Sequence, residues 1–157
     1  MIKKRIQKLK KLIKNHKLDG YIIPKNDTYF SEFSSPDRLK TISNFSGSAG
    51  FAIILKKENF LFVDGRYTLQ AQMQSGNYYK IIELPKFSLI NTLKKYKKKL
   101  QLGFDPQLFT SALIKRNFDD IFNLLPIKEN FIDKIYKEKN KNFVNPFYSL
   151  NIKVTGE

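Results

Sequence analysis

The chain has 157 residues with no cysteine and one histidine, and its 29 Lys and Arg against 14 Asp and Glu give a formal net charge of +15. This length predicts one domain that buries roughly 68–70% of its unfolded surface, and 41% hydrophobic residues are too many for a disordered chain. Without cysteine there is no disulfide, thiolate nucleophile or zinc knuckle, and a metal site would depend on carboxylates, so a self-contained hydrolase or oxidoreductase is disfavoured.

The N-terminus predicts an amphipathic helix. Ile2, Ile6, Leu9 and Ile13 are spaced by four, three and four residues and share one face, while lysines and Arg5 fill the other. We expect the stripe to pack on a sheet. A membrane-surface or targeting helix over residues 2–14 is the alternative, although the stripe has no aromatic anchor. No apolar run approaches the roughly 20 residues of a transmembrane helix, and we predict no membrane partner.

The first half of the chain then predicts a strand, a short helix, a hairpin and a longer helix. The strand covers 21–24, the short helix follows a turn or cap at 34–37, the hairpin strands cover 51–55 and 60–63, and the helix covers 66–74. A four-residue polar segment between two apolar runs is typical of a β-hairpin.

The second half alternates strands with helices. We predict a strand at 79–84, a helix at about 87–99, a strand at 102–104, a helix at about 109–122, a last strand beginning at 126–127 and a short helix at 130–136. The helix at about 87–99 should bury Leu89, Ile90, Leu93 and Tyr96. The helix at about 109–122 should align Ile114, Phe118, Ile121, Phe122 and Leu125 on one face. The order predicts an α/β protein with helices on both faces of a mixed sheet.

A Lys- and Asn-rich tract at 137–146 predicts a linker. We therefore predict one domain over residues 1–145, and over 146–157 the start of a connection to a following domain that is absent from this chain.

A small-residue loop, Phe-Ser-Gly-Ser-Ala-Gly-Phe at 45–51, precedes the hairpin. Backbone N–H groups in such a loop can bind an anion. A P-loop, however, requires a Lys-Ser/Thr pair and a following helix, and here a strand follows. We favour a tight turn in which glycine permits positive φ and close packing.

Asp64-Gly65-Arg66-Tyr67 joins the second hairpin strand to a helix. Asp64 is placed to cap that helix. Arg66 is one of four arginines among 29 basic residues, which suggests that its planar fork is required, for a carboxylate or a peptide carbonyl. A purely structural ion pair of Arg66 with Asp64 or Asp37 is the alternative, and the sequence leaves both open.

No catalytic or metal-binding set is predicted. His16 lies in the Lys-rich first helix, far from any nucleophile elbow. A helix would splay Asp119 and Asp120 about 100° apart. The aromatic residues at 29–33 are suited either to packing in a core or interface, or to stacking on bases.

The net positive charge suggests an alternative function, that of a basic nucleic-acid-binding module, because basic chains gain affinity for polyanions through counterion release. Base reading and phosphate forks favour arginine, whereas 25 of the basic residues are lysines. The joint excess of Lys, Ile, Asn and Phe is typical of an AT-rich genome. We interpret most of the charge as background and predict no specific nucleic-acid partner.

Several blocks of this sequence together resemble the N-terminal domain of Xaa-Pro aminopeptidases (aminopeptidase P), of the creatinase/prolidase type. The blocks are Asp-Gly-Tyr-Ile-Ile-Pro at 19–24, Ser-Glu-Phe at 31–33, Ser-Pro-Asp-Arg at 35–38, Ser-Asn-Phe-Ser-Gly-Ser-Ala-Gly at 43–50 and Asp-Gly-Arg-Tyr-Thr-Leu-Gln-Ala at 64–71. Gly-Phe-Asp-Pro at 103–106 and the segment 128–136 extend the resemblance to nearly the whole chain.

The resemblance implies a three-layer α/β/α fold around a mixed sheet of about six strands. It implies that this chain is the first domain of a cytoplasmic enzyme that releases an N-terminal residue preceding proline. The enzyme's catalytic domain, the implied C-terminal partner, would hold two divalent metals, manganese or zinc. This chain would contribute no cofactor, catalytic residue or metal ligand.

The resemblance further implies that Arg66 binds substrate, a peptide with proline at its second position. It also implies that the domain restricts access to the active site and contributes to a homodimer. Two positions depart from the family pattern. Phe62-Val63 stands where an aromatic-Thr pair is common, and Tyr29-Phe30 stands where the family has His-Gln. Finer substrate contacts of the 25–37 loop are therefore not carried over.

Overall fold

The computed structural model describes residues 1–31, 34–86, 88–93, 95–96, 99–119 and 122–136. The predicted linker at 137–146 and the predicted connection at 146–157 lie outside these residues.

The described residues form six strands and six helices. The strands are β1 (Gly20–Pro24), β2 (Gly50–Leu55), β3 (Asn59–Asp64), β4 (Lys80–Leu84), β5 (Gln101–Phe104) and β6 (Asn123–Pro126). The helices are α1 (Ile2–Asn15), α2 (Arg38–Ser43), α3 (Thr68–Ser75), α4 (Leu89–Leu93), α5 (Ser111–Ile114) and α6 (Phe131–Ile135). Short 3-10 turns cover Gly65–Tyr67 and Pro106–Leu108, and a π-helical segment covers Lys115–Asp119.

The strands form one mixed sheet in the order β4-β3-β2-β1-β5-β6. The pairs β1–β2 and β2–β3 are antiparallel, whereas β3–β4, β1–β5 and β5–β6 are parallel. The predicted hairpin is confirmed, with Ile53 opposite Phe60. The predicted mixed, six-stranded α/β sheet is also confirmed.

Each central strand alternates its side chains between two apolar clusters, one on each face of the sheet. On β1, Tyr21 and Ile23 join the cluster that α1, α2, α3 and α6 cover, while Ile22 joins the cluster beneath α4 and α5. This alternation follows from the two-residue period of a strand. A sheet that is buried on both faces by helices is the predicted three-layer α/β/α arrangement.

Helix α1 packs as its stripe predicts. Leu9 and Ile13 are fully buried, and Ile2 and Ile6 are 5% and 6% exposed. The stripe is therefore occupied by the sheet and its neighbours α2 and α6. Within the described part of the chain, no helix combines the length and the apolar character that crossing a bilayer requires.

The second half of the chain differs from its predicted elements. Helix α4 is much shorter than the predicted 87–99 helix, and Ile90, predicted to face inward, is 57% exposed. The predicted 109–122 helix begins later, because Phe109 is extended and the Thr110 hydroxyl caps α5 by accepting from Leu113 N at 3.2 Å. Hydrophobic spacing correctly identified Leu93, Phe118 and Phe122 as buried, but it did not identify the bounds of the helices, and Ile121 lies outside the described residues.

The last strand was predicted in the wrong place. Strand β6 ends at Pro126 instead of beginning there, and Pro126 lies opposite Phe104. Proline has no N–H to donate to a ladder, so it fits the end of an edge strand. Leu125, predicted to face inward from a helix, lies on this edge strand and is 38% exposed.

Glu58, in the β2–β3 turn, links the sheet to residues 95 and 96, which follow α4. Its carboxylate accepts hydrogen bonds from Lys80 Nζ at 2.6 Å and from the Tyr96 hydroxyl at 2.5 Å, and Lys95 Nζ is a third donor. These donors, Lys80 first, lower the pKa of Glu58 from 4.5 to about 2.

We expect Glu58→Gln to remove a pH-dependent part of the stability. A carboxyl with a lowered folded-state pKa stabilises the fold above its unfolded pKa and loses that contribution as the pH falls from about 4.5 toward about 2. The difference in free energy of unfolding should be about 1 kcal/mol at pH 7, since Lys80 and Lys95 are 61% and 47% exposed and solvent screens them.

Urea unfolding of both proteins at pH 7 and at pH 2.5 measures this difference. The difference in free energy of unfolding between the two proteins should be smaller at pH 2.5 than at pH 7, and smaller in 1 M salt. A difference that is equal at both pH values would contradict the role assigned to the carboxylate.

Candidate functional site

Asp64 and Arg66 form the turn at the end of β3. The Asp64 carboxylate oxygen Oδ1 accepts from the Arg66 backbone N–H at 2.9 Å and from Arg66 Nε at 2.9 Å. The Arg66 side chain, followed by its backbone N–H, lowers the pKa of Asp64. The predicted cap and the predicted pairing with Asp64 are confirmed, whereas Asp37 pairs with Lys25 at 2.5 Å.

The Arg66 side chain is presented at the surface. It is 77% exposed, and its Cζ lies 5.7 Å from the centroid of the Tyr67 ring. A carboxylate and an aromatic ring therefore both orient the guanidinium. This pairing does not remove the guanidinium from solvent, and substrate binding by Arg66 stays a prediction.

The 45–50 loop packs directly against this turn. Phe45 is fully buried, and its ring meets the Tyr67 ring edge-on, 5.9 Å between centroids. A Cβ on Gly47 would lie 2.2 Å from Phe45 Cζ, and one on Gly50, at φ +150°, would lie 2.7 Å from the Phe62 carbonyl oxygen. The predicted close packing and the positive φ of a glycine are confirmed, whereas residues 45–49 are irregular backbone with a bend at 48–49 and contain no hydrogen-bonded turn.

Side-chain hydrogen bonds join the same loop to α3 and to Tyr67. The Ser46 backbone N–H donates to Gln74 Oε1 at 2.9 Å, and Gln70 Nε2 donates to Ser46 Oγ at 2.9 Å. Ser48 Oγ and the Tyr67 hydroxyl lie 2.8 Å apart. The Ser46 N–H therefore has a partner within the protein. The two most distinctive sequence blocks thus form one hydrogen-bonded unit.

The segment after β1 is organised by Asp27. Its Oδ1 accepts from Ser31 N at 3.0 Å and from Tyr29 N at 2.9 Å, and these bonds, Ser31 first, lower the pKa of Asp27. Tyr29 and Phe30 point outward, 88% and 47% exposed. Packing in the core is therefore wrong for Tyr29 and Phe30, whereas packing in an interface and stacking on bases stay predictions; Phe33 lies outside the described residues.

A cleft of about 570 Å³ lies beside this unit, between α1, the segment 34–48 and the residue after α6. Its lining includes Arg5, Lys25, Ser34, Lys40, Ser48 and Tyr136. Ser48 connects the cleft to the Arg66 turn through the Tyr67 hydroxyl. No pattern in the sequence points to this cleft, because its lining comes from segments separated by up to about 130 residues.

The remaining candidates for chemistry are structural. His16 Nδ1 lies 2.9 Å from the Leu12 carbonyl oxygen, and its ring is 4.7 Å from the Phe131 ring. Asp120 lies outside the described residues. Across the described ranges, no group of three or more His, Asp or Glu side chains could hold a metal ion. These residues therefore do not fit a dinuclear metal centre.

Comparison with known proteins identifies the family. The creatinase/prolidase N-terminal domain pattern matches residues 5–133. A probable Xaa-Pro aminopeptidase P of Laccaria bicolor is 31% identical over 98% of this chain, and the Xaa-Pro aminopeptidase 1 of Dictyostelium discoideum is 33% identical over 92%. The chain spans 26% and 23% of these two proteins, about a quarter of their length.

A solved structure agrees with this assignment over the whole chain. The X-prolyl aminopeptidase of Caenorhabditis elegans, described as a cytosolic enzyme with a di-nuclear active site, superposes with a TM-score of 0.78 at 25% identity. It covers 100% of this chain, which corresponds to 29% of that enzyme. The protein is therefore a member of the creatinase/prolidase N-terminal domain family.

Proposed function

We propose that this chain is the non-catalytic N-terminal domain of a Xaa-Pro aminopeptidase. The observation that carries the proposal is the family match over residues 5–133, together with relatives named Xaa-Pro aminopeptidase that are about four times as long. In this proposal the domain shapes access to the active site, contacts the peptide through Arg66 and contributes to a homodimer.

Catalysis belongs to a separate C-terminal domain in this proposal. That domain would hold two divalent metals, manganese or zinc, and would cleave the bond before a proline at the second position. We also propose a cytoplasmic location, as described for the Caenorhabditis elegans relative.

The peptide contact is assigned to Arg66 because of how its guanidinium is held. Asp64 fixes Nε at 2.9 Å, and the side chain remains 77% exposed. A planar guanidinium in a fixed orientation suits a carbonyl or carboxylate of a peptide. Access and assembly are assigned to the exposed apolar side chains nearby. Leu69 and Met73, one turn apart on α3, are 73% and 80% exposed.

The isolated chain tests the division of labour. We expect the isolated 157-residue chain, incubated with Mn²⁺ and an Xaa-Pro peptide, to release no N-terminal residue from that peptide, because the proposal places the metal ions in a separate domain. Mass spectrometry of the peptide measures release, and a full-length Xaa-Pro aminopeptidase at the same concentration is the positive control. Metal-dependent turnover by the isolated chain would disprove the proposal.

The alternative, a nucleic-acid-binding module, is supported by the +15 charge and by the exposed Tyr29 and Phe30. Against it, 25 of the 29 basic residues are lysines, and one of the four arginines, Arg38, makes a bidentate pair with Asp133. The alternative would require binding that persists near physiological salt, since a lysine-rich surface attracts any polyanion in low salt.

A further inference from the structure

We propose that the cleft between α1, the segment 34–48 and Tyr136 binds a dianionic oxyanion, of the kind a phosphate-bearing small molecule presents. The cleft has a volume of about 570 Å³, within the range of roughly 300–1,000 Å³ that small-molecule sites occupy. Its lining is polar and basic, unlike the two apolar clusters on either side of the sheet.

The charges that line the cleft favour a dianion. Arg5, Lys25 and Lys40 bring three positive charges, and Asp37 is the one acidic residue among the described lining residues. The carboxylate of Asp37 is paired with Lys25, 2.5 Å away. In the described ranges, no carboxylate lies within ion-pair distance of Arg5 or Lys40. The described lining residues therefore carry a net charge of +2, which a doubly charged ligand would neutralise.

Two of these cations are already held in position. Arg5 Nη1 donates to the Thr41 carbonyl oxygen at 2.7 Å, and the Arg5 Cζ lies 4.1 Å from the centroid of the Tyr136 ring. Lys25 is 8% exposed and is fixed by Asp37. A ligand would not need to order these side chains, so less conformational entropy is lost on binding.

Hydroxyl groups complete the lining. Ser34, Ser35, Thr41, Ser46, Ser48 and Tyr136 border the cleft. Ser34 is 9% exposed, and its buried hydroxyl has no hydrogen-bond partner among the described residues. That oxygen has almost no accessible surface, so the hydroxyl-bearing residues open to a ligand are the exposed serines of the lining, Ser35, Ser46 and Ser48. Oxyanions accept from both hydroxyl and ammonium donors, which explains why both line the cleft.

Several remote segments meet at this site. Arg5 lies on α1, Lys40 on α2, and Tyr136 follows α6. A ligand that contacts all three would bind the folded state and not the unfolded chain, so it would raise the melting temperature. The proposal is independent of the peptidase assignment, because binding is measured without substrate, metal or a catalytic domain.

Titration of the 157-residue chain with inorganic phosphate tests the proposal. Isothermal calorimetry and thermal unfolding at constant ionic strength, balanced with NaCl, should give one saturable site per chain and a higher Tm. Lys40→Met should raise the Kd for phosphate at least threefold, and Arg5→Met at least tenfold. Lys57→Met is the matched control, since Lys57 is exposed in the β2–β3 turn and does not line the cleft.

The variants and a second anion separate a built site from general attraction. Arg5→Lys keeps the charge and should retain more affinity than Arg5→Met, and circular dichroism checks that each variant is folded. Acetate, a monoanion, should bind at least tenfold more weakly than phosphate. Non-saturable binding, equal losses in Lys40→Met and Lys57→Met, or equal affinity for acetate would each overturn the proposal.

Discussion

In the proposed full-length Xaa-Pro aminopeptidase, replacement of Arg66 by alanine is expected to lower kcat/KM about 10- to 150-fold. This range corresponds to the loss of one charge-assisted hydrogen bond to the peptide, about 1.5–3 kcal/mol. The fold should be unaffected, because the Arg66 side chain is 77% exposed and its partner Asp64 remains 42% exposed to water. Steady-state kinetics with an Xaa-Pro peptide measure the effect.

Two further variants identify what Arg66 contributes. Arg66→Lys keeps the positive charge but loses the planar fork, so it should recover only part of the lost kcat/KM. Arg116→Ala is the matched control, because Arg116 is an exposed arginine in the π-helical segment that covers the opposite face of the sheet. Kinetics of Arg66→Ala that equal those of Arg116→Ala would remove Arg66 from the substrate site.

Phe45→Ala is expected to cause the largest loss of stability, about 3–5 kcal/mol in the free energy of unfolding. Phe45 is fully buried, contacts Tyr67 and closely approaches Gly47, so its removal leaves a cavity under the loop that carries Ser46 and Ser48. For a chain of this size the loss corresponds to a Tm lower by about 6–20 °C. Urea unfolding measures the change directly.

Met73→Ala is the control for this prediction. Met73 is also a large apolar residue, but it is 80% exposed on α3, so its replacement should change the free energy of unfolding by less than about 0.5 kcal/mol. Equal stabilities of Phe45→Ala and Met73→Ala would show that the 45–50 loop does not depend on the Phe45 ring. Because that loop supports Tyr67 and the Arg66 turn, Phe45→Ala should also reduce activity in the full-length enzyme.

Several elements were predictable because their signals are local. The α1 stripe of Ile2, Ile6, Leu9 and Ile13 has the period of a helix, and all four residues are buried. The β2–β3 hairpin follows from two apolar runs with a four-residue turn. At Asp64 the cap depends on a donor two residues away, so the sequence placed it correctly.

Elements whose bounds depend on distant partners were predicted less well. The strand at Pro126 is defined by its pairing with β5, more than 20 residues earlier, and the apolar periodicity carries no information on that pairing. Tyr29 and Phe30 are aromatic residues of the kind that often pack in a core. Hydrogen bonds from the backbone of their segment to Asp27 nevertheless hold them at the surface. The turn around Asp27 therefore decides that Tyr29 and Phe30 are exposed.

By itself, the sequence determined the α/β class and the blocks that identify the family, whereas the role assigned to Arg66 stays a prediction. These depend on residue type and short spacing, which a linear chain displays directly. The tertiary structure alone decided that Arg66 pairs with Asp64 and not with Asp37, and that Arg5, Lys25 and Lys40 line one cleft. The Arg66 pair is local, whereas the cleft arises because sheet pairing and helix packing bring side chains from remote parts of the chain together.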